Sequence, residues 1–274
     1  MASPRLSRLN HRHTLLDCQG EGKFFVPSIK AHPQWPVIIS EGDSWFSYPE
    51  HDNTIDHLDA FANHRISLLR LEASGDKALR IIGGKQKIRL ARYLRRFPVN
   101  ALLFSGGGND IVGMDLLPLL NERTEGMTWR DCINQETTNA RLQQLRSAYL
   151  DLIHLPDENQ PDCKIYSHSY DRAIPSGKHT RAWGIKVGPW MKPNLERKGI
   201  TNATDQRRII HELLSRFDRL HRDIADRPGV SHVRTVGTLT ENDWHDELHP
   251  TVSGFRKIAE KFRTELAKQF PDTF

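Results

Sequence analysis

The amino-acid sequence predicts an α/β fold, with a mostly parallel sheet of about five strands covered by helices on both faces. Short runs of strand-forming residues alternate with longer amphipathic segments, and apolar runs extend from residue 37 to residue 270. The length of 274 residues is within the range of one large domain with a substantial core. We therefore predict a single domain at residues 36–274, preceded by a polar, irregular N-terminal arm at residues 1–35.

Five short apolar runs have the length and composition of buried strands. They are Val37 to Ser40, Ile66 to Leu71, Val99 to Phe104, Lys164 to His168 and Val230 to Val236. In open parallel sheets, ligands bind beyond the carboxyl ends of the strands. We therefore expect the functional residues directly after these runs.

Four segments have the apolar spacing of helices, namely Ile88 to Phe97, Leu142 to Ile153, Ile209 to Ile224 and Val252 to Phe270. The clearest is the third, whose apolar residues recur every three or four positions and form one stripe. Residues 171–204 are the longest stretch without periodicity and are rich in Gly, Pro and Trp. Because long loops in compact domains are usually functional or disordered, we predict a loop over the active site here.

The chain carries a small excess of positive charge, with 39 Lys and Arg against 34 Asp and Glu. The densest basic cluster runs from Lys85 to Arg96 and contains no acidic residue. On a helix its cations at 85, 89, 92 and 96 share one face, whereas Ile88, Ala91 and Leu94 point elsewhere. We interpret this face as the solvated outside of a helix, with an anion-binding or nucleic-acid surface as the alternative. We expect no nucleic-acid partner.

The cysteines and the hydropathy pattern indicate the cellular compartment. Cys18, Cys132 and Cys163 are widely separated and lack the spacing of a metal site. No stretch has the roughly 18 apolar residues of a membrane span, and no apolar signal region follows the basic residues at the N-terminus. We expect a reducing, cytoplasmic compartment, although a chain from which an export signal had been removed would show the same pattern.

Three polar motifs follow strand candidates in the way that a catalytic site requires. Ser44 lies in Gly-Asp-Ser after the first run, where a tight turn can expose its hydroxyl. Asn109 follows three glycines after the third run, and its amide can donate a hydrogen bond to a developing oxyanion. Asp246 precedes His249 by three residues, so its carboxylate can accept the Nδ1 proton and leave Nε2 for the serine.

Together these motifs resemble the SGNH or GDSL-type hydrolases, a superfamily of esterases and lipases. The resemblance extends from about residue 37 to the C-terminus, and it implies a flavodoxin-like, three-layer α/β/α sandwich. It also implies that Ser44 is the nucleophile, His249 the general base and Asp246 the residue that orients it. The oxyanion hole would comprise the backbone amides of Ser44 and Gly75 and the side chain of Asn109. Ser74-Gly75-Asp76 is the best match for the family's glycine motif, although Gly83-Gly84 lie nearby.

Each motif also has an ordinary structural interpretation. Ser44 would be a turn residue, Asn109 a helix N-cap, and Asp246 with His249 a surface ion pair. The spacing of His245 and His249 can be mistaken for a metalloprotease helix, but that motif needs Glu directly after the first histidine, and Pro250 disfavours helix at His249. We therefore expect neither a metal nor another cofactor.

The identity of the substrate is the least determined part of the prediction. Trp45, Trp183 and Trp190 are candidates for contacts with the substrate, with packing in the core as the alternative. We expect short-chain or carbohydrate O-acyl esters first, and lysophospholipids or thioesters second. A hypothesis from another class is a non-catalytic, anion-binding module on the same fold. The sequence does not indicate an oligomeric state.

Overall fold

The structure is a computed structural model that describes residues 24–182 and 185–274. Its strands are β1 (Val37–Gly42), β2 (Ser67–Arg70), β3 (Ala101–Ser105), β4 (Lys164–His168), β5 (Thr180–Ala182), β6 (Ile185–Val187) and β7 (Val230–Val233). Five of them form one parallel sheet in the order β2-β1-β3-β4-β7, and β5 and β6 pair as an antiparallel hairpin. This is the strand order of flavodoxin-like sheets.

Nine α-helices lie within the described residues: α1 (Phe25–Ala31), α2 (Thr54–Phe61), α3 (Ala78–Gly83), α4 (Lys85–Arg96), α5 (Gly108–Ile111), α6 (Gln135–Asn159), α7 (Lys192–Arg197), α8 (Ala203–Ala225) and α9 (Val252–Ala267). Single 3₁₀ turns occur at Leu117–Leu119 and Glu241–Asp243. Within the described part of the chain, no helix is long and apolar enough to cross a membrane.

The helices cover both faces of the sheet, which confirms the predicted three-layer α/β/α architecture. Helices α2 and α9 pack together in one layer, and α3, α4, α6 and α8 form a second packed group. Every residue of β1 and β3 is buried. Continuous burial of this kind is expected where both faces of a parallel strand are covered, and it explains why these strands appear in the sequence as unbroken apolar runs.

The predicted elements are present, but several boundaries differ. The predicted helix Leu142 to Ile153 lies inside the longer α6, whose N-cap Asn134 accepts a hydrogen bond from the Thr137 amide at 3.0 Å. The first turns of α6 are polar and carry no apolar period, so spacing alone did not indicate them. The last predicted strand ends early, at Val233, and the Thr235 hydroxyl instead donates to the carbonyl of Tyr170 at 2.7 Å.

The basic helix α4 corrects part of the interpretation of its sequence. Leu90 and Leu94 are buried, as an amphipathic helix requires, but Ile88 is 63% exposed. Arg89 does not simply extend into solvent, because its guanidinium lies 3.4 Å from the buried carboxylate of Glu41. The face is therefore only partly a solvated one.

Two segments that lack periodicity contain regular structure. Residues 24–35, the described part of the predicted arm, include α1, and the ring of Phe25 packs edge-on against Phe97 with centroids 5.1 Å apart. The remainder of the arm, residues 1–23, lies outside the described residues. The predicted loop at residues 171–204 contains the β5–β6 hairpin and α7. Elements as short as these do not produce a detectable period in the sequence.

The end of β1 depends on a glycine, which gives a first testable prediction. Gly42 has φ +151°, and a Cβ there would lie 2.2 Å from the carbonyl oxygen of Ser105 on β3. We expect Gly42→Ala to lower the free energy of unfolding by about 3 kcal/mol or more, because strain and a backbone clash add. Gly229→Ala is the matched control, since its φ is +77° but its Cβ would meet nothing within 4 Å. Urea denaturation measures both, and equal losses would contradict the clash.

Candidate active site

The candidate site lies where the strand order of the sheet reverses. The chain leaves β1 in one direction and β3 in the other, and such points form crevices at the carboxyl edge of a parallel sheet. The Asp43 amide donates to the carbonyl of Ser105 at 3.0 Å, so the loops after β1 and β3 begin side by side. Ser44 lies in the first loop and Asn109 in the second.

Three predicted side chains form a continuous chain of hydrogen bonds. The Ser44 Oγ lies 2.7 Å from Nε2 of His249, although the two residues are 205 positions apart in the sequence. Nδ1 of His249 lies 2.8 Å from Oδ2 and 3.0 Å from Oδ1 of Asp246. This arrangement can transfer the serine proton to the imidazole while the carboxylate faces the opposite ring nitrogen.

The loop that carries His249 is built around Asp246. Its Oδ1 accepts the backbone amides of Leu248 and His249 at 2.7 and 2.8 Å. Burial by itself would raise the pKa of Asp246, but the hydrogen bonds and positive charge from His249, together with these amides, hold the pKa below its usual value. The carboxylate therefore stays ionised and can stabilise an imidazolium.

Tyr48 supports the same carboxylate, which sequence reasoning did not anticipate. Its hydroxyl lies 3.2 Å from Oδ2 of Asp246, and its ring packs on the imidazole of His249 with centroids 4.5 Å apart. Thr180 on β5 lies 3.2 Å from the same hydroxyl and donates to Glu50 at 2.6 Å. No spacing rule links Tyr48 with a residue 198 positions away, so only the fold could reveal this contact.

Asp43, the neighbour of the serine, joins the ends of three strands. Its Oδ1 accepts the Ser105 hydroxyl at 2.8 Å and the Trp45 amide at 3.0 Å, and its Oδ2 accepts the Tyr170 hydroxyl. Burial raises the pKa of Asp43 to about 6, against the lowering effect of these hydrogen bonds. Asp43 faces the interior and braces the loop that presents Ser44.

The predicted oxyanion donors occupy three loops, those that follow β1, β2 and β3. Asn109 borders the same cavity as Ser44, and its amide donates to the carbonyl of Asp76 at 2.9 Å. That bond uses one of the two hydrogens of the amide. Gly75, beside Asp76, is exposed with φ +84°, and within the described residues its N–H has no acceptor. The hydrogen bond between Asn109 and Asp76 thus brings the Gly75 and Asn109 loops together.

A small cavity opens beside Ser44 and Asn109, and Asp43 and Asp171 also border it. Most of its remaining lining is apolar and comes from Trp45, Val112, Tyr170, Ala173, Leu214 and Leu248. A small apolar space next to a polar centre can hold a short hydrocarbon group.

The three predicted tryptophans have different surroundings. Trp45 borders the cavity, but only 4% of its surface is exposed. Because its Nε1 donates to the carbonyl of Leu248 at 2.9 Å, it mainly joins the serine loop to the histidine loop. Trp190 is half-buried, and its ring lies edge-on to His249 with centroids 5.3 Å apart. Trp183 lies outside the described residues.

Neither a protein-family model nor a curated protein matches the chain.

Comparison by structure finds solved chains of the same fold. One is a lipase from a goat rumen metagenome, with 13% identity, 84% of this chain and 96% of that chain covered, and a TM-score of 0.51. Another, from Slackia heliotrinireducens, is described as an SGNH hydrolase, with 9% identity, 85% and 100% covered, and a TM-score of 0.52. A third, from Streptococcus pneumonia, is described as a platelet activating factor, with 13% identity, 97% and 100% covered, and a TM-score of 0.53. The predicted resemblance to the SGNH and GDSL-type hydrolases is thus confirmed at the level of the fold.

The buried side chain of His168, beneath the site, makes the stability of the protein depend on pH. His168 is fully buried, its Nε2 lies 2.9 Å from the Ser105 hydroxyl, and burial lowers its pKa from 6.5 to about 3. The unfolded chain therefore binds one more proton than the folded chain between these values, so stability falls as the pH decreases from 6.5 towards 3.

We expect His168→Gln to reduce this dependence by about 1.4 kcal/mol per pH unit, measured as urea denaturation between roughly pH 5 and 6. The control is His154→Gln, because the side chain of His154 is 59% exposed. The same slope in the His168 variant and in the wild type would contradict the assignment.

Proposed function

We propose that this protein is a serine hydrolase of carboxylic esters that works through an acyl-enzyme. The observation that carries the proposal is the 2.7 Å contact between Ser44 Oγ and His249 Nε2, with Asp246 on the opposite ring nitrogen. The fold shared with a lipase and an SGNH hydrolase supports ester hydrolysis as the reaction class. A module that only binds a ligand would not need this set of side chains.

In the proposed reaction, Ser44 attacks the carbonyl carbon of the ester while His249 accepts the hydroxyl proton. The tetrahedral intermediate collapses, and His249 gives the proton to the leaving alcohol. A water molecule, deprotonated by the same imidazole, then attacks the acyl-enzyme, and Ser44 is regenerated with release of the carboxylic acid. Asp246, kept ionised by its hydrogen bonds, stabilises the imidazolium in both halves of the reaction.

The negative charge of the tetrahedral intermediate would be stabilised by three donors. The proposed donors are the backbone amides of Ser44 and Gly75 and the side chain of Asn109, which stands in the loop next to the nucleophile. Donors held in place before the reaction are effective because they need no reorganisation as the charge develops. In the ester complex, the second hydrogen of the Asn109 amide would point towards the oxyanion.

The size of the cavity favours a short acyl group. Its small enclosed space and its largely apolar lining suit an acetyl or similarly short chain. Short-chain esters, including carbohydrate O-acyl esters, are therefore the proposed substrates. The proposed reaction uses only protein groups and water.

The nucleophile is tested by substitution and by covalent labelling. We expect Ser44→Ala to abolish hydrolysis of p-nitrophenyl acetate and labelling by a fluorophosphonate, while the circular dichroism spectrum stays that of the wild type. Ser147→Ala, at an exposed position on α6, is the matched control and should keep both activities. Hydrolysis by the Ser44 variant at the wild-type rate would refute the mechanism.

The oxyanion role of Asn109 makes a separate kinetic prediction. We expect Asn109→Ala to lower kcat by roughly 100-fold or more with a much smaller change in KM, because the lost donor acts on the transition state. Steady-state kinetics on p-nitrophenyl acetate measures both constants. A variant changed in KM alone would instead make Asn109 a residue that binds the ground state of the ester.

A further inference from the structure

Glu247, between Asp246 and His249, is completely buried and binds a distant segment of the chain. Its Oε1 accepts the amides of Gly177 and Lys192 at 2.9 and 3.1 Å. Its Oε2 accepts the amides of Trp190 and Met191 at 2.6 and 2.7 Å. One carboxylate thus holds both ends of the segment from residue 177 to residue 192 against the histidine loop.

This arrangement is specific for a carboxylate. An ionised carboxylate accepts hydrogen bonds at both oxygens and donates none, so four convergent N–H groups match it. A glutamine in the same place would keep one acceptor oxygen and turn an NH₂ group towards two N–H donors. The segment is therefore attached by hydrogen bonds that no neutral side chain of the same size reproduces.

Trp190 is the side chain that this attachment places in the site. Its amide is bound by Glu247, and its carbonyl accepts the Asn194 side chain at 2.8 Å. A Cβ at Gly188, which has φ +79°, would lie 2.7 Å from the indole, so the ring rests directly on that glycine. On another side the indole meets His249 edge-on, with planes at 79°. The position of the ring is set on several sides, while part of it remains exposed.

In the proposed reaction, the leaving oxygen must come within hydrogen-bond distance of the Nε2 that protonates it. The group attached to that oxygen consequently lies beside the residues that surround His249. Trp190 does not line the cavity next to Ser44 and Asn109, where the acyl group is proposed to bind. The indole is therefore available to the alcohol part of the ester, and an aromatic surface favours a ring with an apolar face.

We propose that Glu247 is a positioning residue that fixes Gly177 and residues 190–192 beside His249. We also propose that Trp190 forms one wall of a subsite for a leaving alcohol with an aryl or sugar ring. The inference rests on the proposed esterase activity and adds its specificity for the alcohol. Both ring types share the chemistry of a flat apolar face, and the experiment separates them.

The test compares acetates that share one acyl group and differ in the alcohol: phenyl acetate, a monoacetylated glucoside and ethyl acetate. For Trp190→Ala we expect the ratio of kcat/KM for a ring ester to that for ethyl acetate to fall about five- to tenfold, and Trp190→Phe should restore much of it. A fall with only one ring ester identifies the ring that the subsite takes. Unchanged ratios for both ring esters would overturn the subsite.

Glu247→Gln tests the attachment independently of activity. We expect faster amide hydrogen exchange in peptides that contain Gly177 and Trp190 to Lys192, together with the same fall in the ring-ester ratio. Glu196→Gln, with a side chain 49% exposed on α7, is the matched control and should match the wild type in both measurements. Unchanged exchange in the Glu247 variant would refute the positioning role. If the wild-type protein hydrolyses none of the acetates and is not labelled at Ser44, the proposed esterase activity is wrong, and the subsite with it. The hydrogen-exchange result would still decide whether Glu247 holds the segment.

Discussion

The hydrogen bonds to the buried carboxylate of Asp43 are the interactions on which the rest of the site depends. It accepts hydrogen bonds from Ser105 at the end of β3, from Tyr170 just after β4 and from the amide of Trp45 in its own loop. Three neighbouring strands of the parallel sheet are thereby joined at their carboxyl ends. The cost of burying the group appears in its pKa, which burial raises to about 6, and the hydroxyl and amide donors offset part of that cost.

The serine loop and the histidine loop come from opposite ends of the chain, and they are joined by more than the contact between Ser44 and His249. Trp45, next to the serine, donates from its indole to the carbonyl of Leu248 at 2.9 Å, and Tyr48 lies 3.2 Å from the carboxylate of Asp246. These bonds fix the position of the serine loop relative to the histidine loop. A displacement of about 1 Å at a reacting centre is enough to lower a rate substantially, so such supports decide whether the triad can work.

The acidic residues in and near the site have different hydrogen-bond or ion-pair partners, and these partners indicate the role of each carboxylate. Asp246 faces an imidazole, so its fixed negative charge can stabilise a proton on His249. Glu247 is surrounded by backbone N–H groups that cannot titrate, which suits a permanent attachment. Glu72, beneath the sheet edge, forms an ion pair with buried Arg70, a fixed charge balance away from the chemistry.

The sequence by itself indicated the architecture and the residues of the proposed triad. Alternation of strand and helix patterns, which arises from local periodicity, indicated the parallel sheet, and order along the chain placed Ser44, Asn109 and the Asp246-His249 pair after strands. These patterns depend only on residues that are close together in the chain, so they can be recognised without knowledge of the fold. The boundaries of α6 and of the last strand were less accurate, because caps and long-range hydrogen bonds end elements where the pattern of apolar residues does not.

Only the tertiary structure decided what surrounds those residues. Three contacts join segments that lie far apart in the chain: Tyr48 with Asp246, Glu247 with Met191, and Trp190 with His249. A buried glutamate has no sequence signature that distinguishes it from an exposed one, because its partners are backbone amides, which every residue except proline carries. Which amides converge on it is set by how the loops pack, and that is a property of the folded chain alone.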